Sequence, residues 1–207
     1  MSALFSSDPR RRTIGLTGGI ASGKTTVSNY LANVYHLPIF DADLYAREAV
    51  APGSKILLKI GERYGSRIFR PDGSLDRLQL GNIIFHNVVE RHWLEQQIHP
   101  YVRDRLLDAA KIPATTIVLT VPLLFEANLV DLCTEVWVVY CSPTQQLERL
   151  MLRDRLSLEQ ATARINSQMS LEEKRLRADV ILDNSSSLDL LLKQVDTAVT
   201  QVRSEPS

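Results

Sequence analysis

Cysteine is scarce. The 207-residue chain holds two, Cys133 and Cys141, with neither a Cys-x-x-Cys pair nor a histidine at metal spacing beside them. That argues against a disulfide framework and a zinc site, and leaves both thiols as core or strand residues. Net charge is lacking too: 24 Lys and Arg balance 24 Asp and Glu. No field of one sign draws in nucleic acid or an anionic membrane, so an anion must be held by a local constellation. No apolar run approaches the roughly 20 residues that span a bilayer, and Met1 to Arg12 lacks the apolar centre of a secretion signal. Arg10, Arg11 and Arg12 read as a solvated entry to the first strand. Internal repeats, low-complexity tracts and long linkers are missing as well. The expected setting is the reducing cytoplasm, with small-molecule partners and no nucleic acid or membrane, as a monomer or weak homo-oligomer. The length fits one α/β domain with room for an insertion.

What is present is concentrated in one octet. Residues Gly18 to Thr25 read Gly-Gly-Ile-Ala-Ser-Gly-Lys-Thr, the phosphate-binding loop G-x-x-x-x-G-K-[ST]. Glycines let consecutive backbone N–H groups turn inward around phosphates, Lys24 supplies a cation and Thr25 a hydroxyl for Mg²⁺. The apolar run Thr13 to Thr17 precedes the octet, and Val27, Tyr30, Leu31 and Val34 follow at helical spacing. Strand, loop and helix in that order aim the positive end of a helix dipole at the phosphates.

Buried strands are predicted at Leu37 to Phe40, Ile117 to Val121, Val136 to Tyr140 and Val180 to Leu182, with helical patterns between them. Such alternation predicts a five-stranded parallel sheet in a three-layer α/β/α fold. Ser142 with Pro143 and Gln145, Ser157 with Gln160, and Ser170 with Glu173 mark the starts of three short helices. A final helix from Ser187 carries Leu188, Leu191, Leu192, Val195, Val199 and Val202 on one stripe. Arg70 to Ser74 is a turn. Val50 to Lys111 is mostly helical where a crossover needs about a dozen residues. It reads as an inserted helical subdomain over the strand ends, with stripes of Leu80, Ile83, Ile84 and Val88, then Trp93, Leu94 and Ile98, and Pro100 bending or restarting the helix. The core then comprises 13–49, 112–148 and 178–203, the insertion 50–111, and a lid 149–177.

Phosphoryl transfer to a hydroxyl needs a carboxylate near the loop to take the proton. Asp41-Ala42-Asp43 follows the second strand, and the two carboxylates share a side if the strand continues. One then serves as base while the other orients Mg²⁺ or the acceptor; either could instead cap the next helix. Between Glu148 and Arg177 lie Arg149, Arg153, Arg155, Arg164, Lys174, Arg175 and Arg177, without a strong core pattern. A lid of this kind neutralises charge that develops on the transferring phosphate, although interleaved acids also suit a solvated face. Arg149 and Arg153, four apart, can share one helical face. His99 is a ligand contact or a structural histidine.

The chain has no Asn-Lys-x-Asp guanine reader, and its third strand ends in Thr120-Val121-Pro122 without an acidic pair. A GTPase switch and a motor ATPase are thus disfavoured, and a small-molecule kinase is preferred. A nucleoside or nucleotide kinase and a silent nucleotide-binding switch stay open on these features alone. The chain resembles the dephospho-coenzyme A kinase family over nearly all of Thr13 to Asn184. The resemblance rests on Gly15 to Thr26, on Asp41-Ala42-Asp43 with Ala46-Arg47 and Pro52-Gly53, and on His99-Pro100. It extends to Val121 to Glu126, Arg149 with Arg153-Asp154, Ala178-Asp179 and Asp183-Asn184.

The resemblance implies ATP-dependent phosphorylation of the ribose 3′-hydroxyl of dephospho-coenzyme A with Mg²⁺. It places ATP on Gly18, Gly19, Ala21, Ser22, Gly23, Lys24, Thr25, Thr26 and Asn184, and Mg²⁺ on Thr25. The acceptor falls to Asp41, Asp43, Arg47 and His99, with Asp43 as base and Lys24, Arg149 and Arg153 as its catalytic companions. Two positions depart from the family pattern. Glycine is usual where this chain has Ala21, so no positive φ is expected there. Many members carry Asp where this chain has Thr120, which leaves Thr25, an aspartate of the Asp41/Asp43 pair and water for the metal.

Overall fold

Apolar strands alternating with amphipathic helices call for a sheet covered on both faces, and the computed structural model, which describes residues 11–201, contains one. Arg10 and Val202, named above, lie outside the described residues. In chain order the first elements are β1 (Arg12–Gly18), α1 (Lys24–Tyr35), β2 (Ile39–Asp41), α2 (Ala42–Ala49), α3 (Lys55–Tyr64), α4 (Arg77–His86) and α5 (Val88–Ala109). They continue as β3 (Thr116–Thr120), β4 (Glu135–Tyr140), α6 (Pro143–Asp154), α7 (Leu158–Asn166), α8 (Leu171–Leu176), β5 (Val180–Asp183) and α9 (Leu188–Thr200). No helix among them is long and apolar enough to cross a membrane.

The sheet has five strands in the order β2-β3-β1-β4-β5, with β1 parallel to both β3 and β4, and β4 parallel to β5. From β1 the chain passes to the edge strand β2, returns to β3 beside β1, and then crosses to β4 and β5 on the other side, so the crevice of such a sheet lies at the carboxyl end of β1, where the glycine-rich octet begins. Strand alternation sorts the faces. Ile14, Leu16, Trp137 and Val139 pack with Val27 and Leu31 of α1 and Leu191 and Val195 of α9. Gly15 faces the other way, and a Cβ there would lie 2.5 Å from Cys133 Sγ and 3.1 Å from Leu124. Both cysteines are free; Cys141, the residue after β4, is buried.

The chain forms two compact units, one of residues 1–40 and 112–207 and one of Asp41–Lys111. The second has its own core of Val50, Leu57, Ile60, Ile68, Leu75, Leu80 and Leu94, and it begins at Asp41 where the sequence suggested Val50. Its helices start on Asp41, Ser54, Asp76 and Asn87, whose side chains accept first-turn N–H groups.

Several local expectations change. β2 starts at Ile39 because His36 ends α1 in the left-handed region (φ 54°) and the Leu37 N–H returns to Leu31 O. α5 runs unbroken through Pro100; one missing donor is outweighed by the burial of Leu94, Val102 and Leu106 along the same helix. Val88 and Leu188 open their helices and are exposed rather than packed. Arg12 is not a solvated entry residue: its Nε meets Glu135 Oε1 at 2.7 Å, and Trp137 Nε1 donates to the other oxygen of that buried carboxylate at 3.0 Å.

Candidate active site

β1 ends at Gly18, α1 begins at Lys24, and the residues between fold back as a loop in which Ser22 N–H donates to Gly19 O (3.2 Å). Gly18 (φ 151°), Ala21 (φ 60°) and Gly23 (φ 108°) occupy the positive-φ region. The expectation for Ala21 is therefore overturned. The loop must reverse the direction of successive peptides within a few residues, and at this position alanine adopts the left-handed conformation at a cost of about 1–2 kcal/mol. Gly23 caps α1 without a side-chain acceptor, and no acid follows in the first turn. The positive end of the helix therefore keeps its capacity for an anion. Lys24 Nζ donates to Gly18 O (2.9 Å) and Gly19 O (3.1 Å), curled over the loop. Thr25 and Thr26 are exposed in the first turn of α1.

The loop is braced from β5, α6 and the α7–α8 connection. Asn184 Nδ2 donates to Ser22 O (2.8 Å), and its backbone O accepts Arg149 Nη2 (3.0 Å). Gln146 Nε2 donates to Ile20 O (2.9 Å), and Gln168 Oε1 accepts Ile20 N–H (3.0 Å). One unit thus gathers Gly18, Gly19, Ala21, Ser22, Gly23, Lys24, Thr25, Thr26, Asn184 and Arg149. Arg153 is one turn further along α6 and pairs with Asp154, which also takes Arg164.

The cation-rich segment has more of a core than its sequence suggested. Ala161, Leu171 and Lys174 are buried. Lys174 Nζ sits 2.9 Å from Glu126 Oε1 and 2.8 Å from Pro122 O, and burial lowers its pKa against the opposing pull of Glu126. Arg175 lies over Tyr140 (5.4 Å) and Arg177 over Phe125 (5.7 Å). Thr120 is buried at the end of β3, and its hydroxyl has no hydrogen-bond partner.

The remaining predicted residues belong to the helical unit. β2 stops at Asp41, which caps α2 by accepting Asp43 N–H at Oδ1 (2.8 Å). The two carboxylates therefore do not share a strand face as expected; the cap starts a helix instead. Asp43 and Arg47 line one cleft of about 360 Å³ with Arg77, and its floor includes Leu80, Leu94 and Ile98. Arg77 donates to Arg47 O (3.3 Å). Burial, then the charges of Arg47 and Arg70, push its pKa down. His99 is half-buried on α5 and does not line this cleft.

Sequence reasoning missed Arg77, Gln146 and Gln168, and placed Lys174 among the lid cations rather than in the interior. Gln146, Arg149, Leu150 and Arg153 do recur at helical spacing, which was a usable signal for the first of these.

A family model described as dephospho-CoA kinase matches residues 12–189. The chain belongs to the dephospho-CoA kinase family. A Trichormus variabilis dephospho-CoA kinase is 64% identical over 190 residues, covering 91% of this chain and 97% of its own. Among solved structures, the dephospho-CoA kinase of Campylobacter jejuni superposes with a TM-score of 0.66 at 30% identity, over 90% of this chain and 94% of its own. TT1252 of Thermus thermophilus gives 0.78 at 30% identity, over 94% and 99%. Family membership covers both the phosphate loop and the Asp41–Lys111 unit.

Proposed function

We propose that the chain transfers the γ-phosphoryl group of ATP to the ribose 3′-hydroxyl of dephospho-CoA, giving coenzyme A and ADP. In this reading the first unit holds the donor and the Asp41–Lys111 unit the acceptor. The loop from Gly18 to Thr26 cradles the β- and γ-phosphates with backbone N–H groups, and Lys24 exchanges its two loop carbonyls for phosphate oxygens. Asn184 fixes the loop through Ser22 O. Thr25 would hold Mg²⁺ through its hydroxyl, a hard oxygen of the kind this ion prefers. No cluster of three or more His, Cys, Asp or Glu able to hold a metal exists among the described residues. Bound there, Mg²⁺ would neutralise charge on the β- and γ-phosphates.

Asp43 is the base that takes the acceptor's 3′-hydroxyl proton. Asp41 supports it by capping the helix that carries it, and Arg47 with Arg77 receives acceptor phosphate in the cleft. The apolar floor of Leu80, Leu94 and Ile98 suits an uncharged portion of the same molecule. Arg149 and Arg153 are the cations assigned to the transferring phosphate, with 149–177 as the lid; His99 remains assigned to the acceptor side.

The observation that carries this reading is a phosphate loop and an acid- and arginine-lined cleft in one chain of this family. The deciding experiment is ATP consumption with and without dephospho-CoA, with the product's phosphate located by NMR. A 3′-phosphorylated product formed only with acceptor present is expected; ATP turnover indifferent to dephospho-CoA would refute it.

A further inference from the structure

Two glutamines outside the phosphate-loop motif grip its second and third peptides. Gln146, 4% exposed on α6, donates to Ile20 O (2.9 Å). Gln168 accepts Ile20 N–H (3.0 Å). A trans peptide is planar, with C=O and N–H pointing in opposite directions. Holding Ile20 O toward Gln146 therefore turns Ala21 N–H away from it. Holding Ile20 N–H toward Gln168 turns Gly19 O the other way, where it accepts Lys24 Nζ (3.1 Å) and Ser22 N–H (3.2 Å).

Both glutamines have fixed mounts. A Cβ on Gly19 would lie 2.4 Å from Gln146 Nε2, so the side chain packs directly on the loop. Gln168 is followed by Met169, whose N–H donates to Glu126 Oε1 (2.9 Å). The same oxygen meets the buried Lys174, which also bonds Pro122 O, itself the acceptor of Thr17 Oγ1 from β1 (3.2 Å). The connection thus runs from β1 through Pro122 and Lys174 to Gln168 and back to the loop at Ile20.

We propose that Gln146 and Gln168 are positioning residues that set the Gly19–Ile20 and Ile20–Ala21 peptide planes, so that Ala21 N–H is aimed at a donor phosphate. The inference rests on the reading of the loop as the ATP site. Ala21 gives the external hold a particular purpose. Alanine at φ 60° disfavours the conformation that glycine would adopt freely, and the Gln146 bond opposes its relaxation. The segment from Gln168 to Lys174 then belongs to the mount of the loop.

The test is Gln146→Met, which keeps the volume and removes the donor, made alone and together with Ala21→Gly. The single variant is expected to raise the KM for ATP about tenfold, the scale of one lost hydrogen bond, with the KM for dephospho-CoA within twofold. The double variant is expected to recover most of that loss, because glycine needs no external hold at positive φ. A general packing defect would not be rescued by a glycine in the loop. A folded Gln146→Met variant with wild-type KM for ATP, or a double variant no better than the single one, overturns the proposal. Should Gln146→Met fail to fold, the half-buried Gln168→Met takes its place. Faster hydrogen exchange at the Ile20 amide with weaker ADP binding by calorimetry supports the proposal, and unchanged values of both overturn it. ADP binding needs no acceptor. Loss of dephospho-CoA turnover in the wild-type protein would therefore refute the acceptor assignment alone, whereas absence of ADP binding would sink this inference too.

Discussion

At the scale of single residues, Ala21 shows how far a side chain can be from its intrinsic preference. A left-handed alanine costs about 1–2 kcal/mol, and glycine would remove that cost while adding roughly 0.4–1 kcal/mol of unfolded-state entropy. Ala21→Gly is therefore expected to hold stability or raise it by up to about 1.5 kcal/mol in urea unfolding. A loss above about 1 kcal/mol would contradict the strain argument. Lys174 is the opposite case, a charge with no exposed side-chain surface. Lys174→Met removes the ion pair and the bond to Pro122 O and leaves Glu126 half-matched, for an expected loss of about 2–3 kcal/mol by the same measurement. Asp43 carries the chemical assignment. With Asn at that position the carboxamide keeps the shape but cannot take a proton, so kcat should fall by roughly 10²–10⁴ while the KM for ATP changes little. Retained turnover would move the base elsewhere.

Helix starts were the most legible elements. Ser142, Ser157 and Ser170 each form the reciprocal capping box with Gln145, Gln160 and Glu173, because capping is decided by bonds within four residues. The same short range explains why Asp41 ends β2: its side chain caps α2 by accepting Asp43 N–H. Contacts between elements were not legible in this way. Glu90 on α5 takes two bonds from Arg63 (2.6 and 2.9 Å) and one from Tyr64 (2.6 Å) on α3. Arg63 first, then Tyr64, hold its carboxyl down to about 2 from the ordinary 4.5. A depressed carboxyl stabilises the fold fully above its unfolded value and loses that contribution as pH falls toward the folded value. Wild-type stability should thus decline between about 4.5 and about 2. Glu90→Gln should abolish that part of the decline in denaturant midpoints taken across the window, and an unchanged acid slope would remove the α3–α5 tie from the account.

On the scale of the whole molecule, the chain divides into two units with separate hydrophobic cores, so damage to one should be functionally distinguishable from damage to the other. Ile60, fully buried in the helical unit, offers the test. Ile60→Ala should cost about 2–5 kcal/mol, raise the KM for dephospho-CoA, and leave ADP affinity within about twofold. Equal losses of both ligands would show that the units do not divide the work.

The sequence by itself determined the phosphate loop, the parallel α/β class, the strand positions to within two or three residues and the helix caps. Each depends on chain sterics, local hydrogen bonds or the period of apolar residues, all of which act between near neighbours. Only the tertiary structure decided that Arg77 joins Asp43 and Arg47 in one cleft, that Lys174 is interior, and that Ala21 is left-handed. It also supplied the hold on Ile20, whose partners Gln146 and Gln168 lie 126 and 148 residues away along the chain. A glutamine at a helical position has the same local pattern whether it faces water or a loop. Its partner is fixed by the packing of α6 and the α7–α8 connection against the sheet, and the energy of that packing has no local signature.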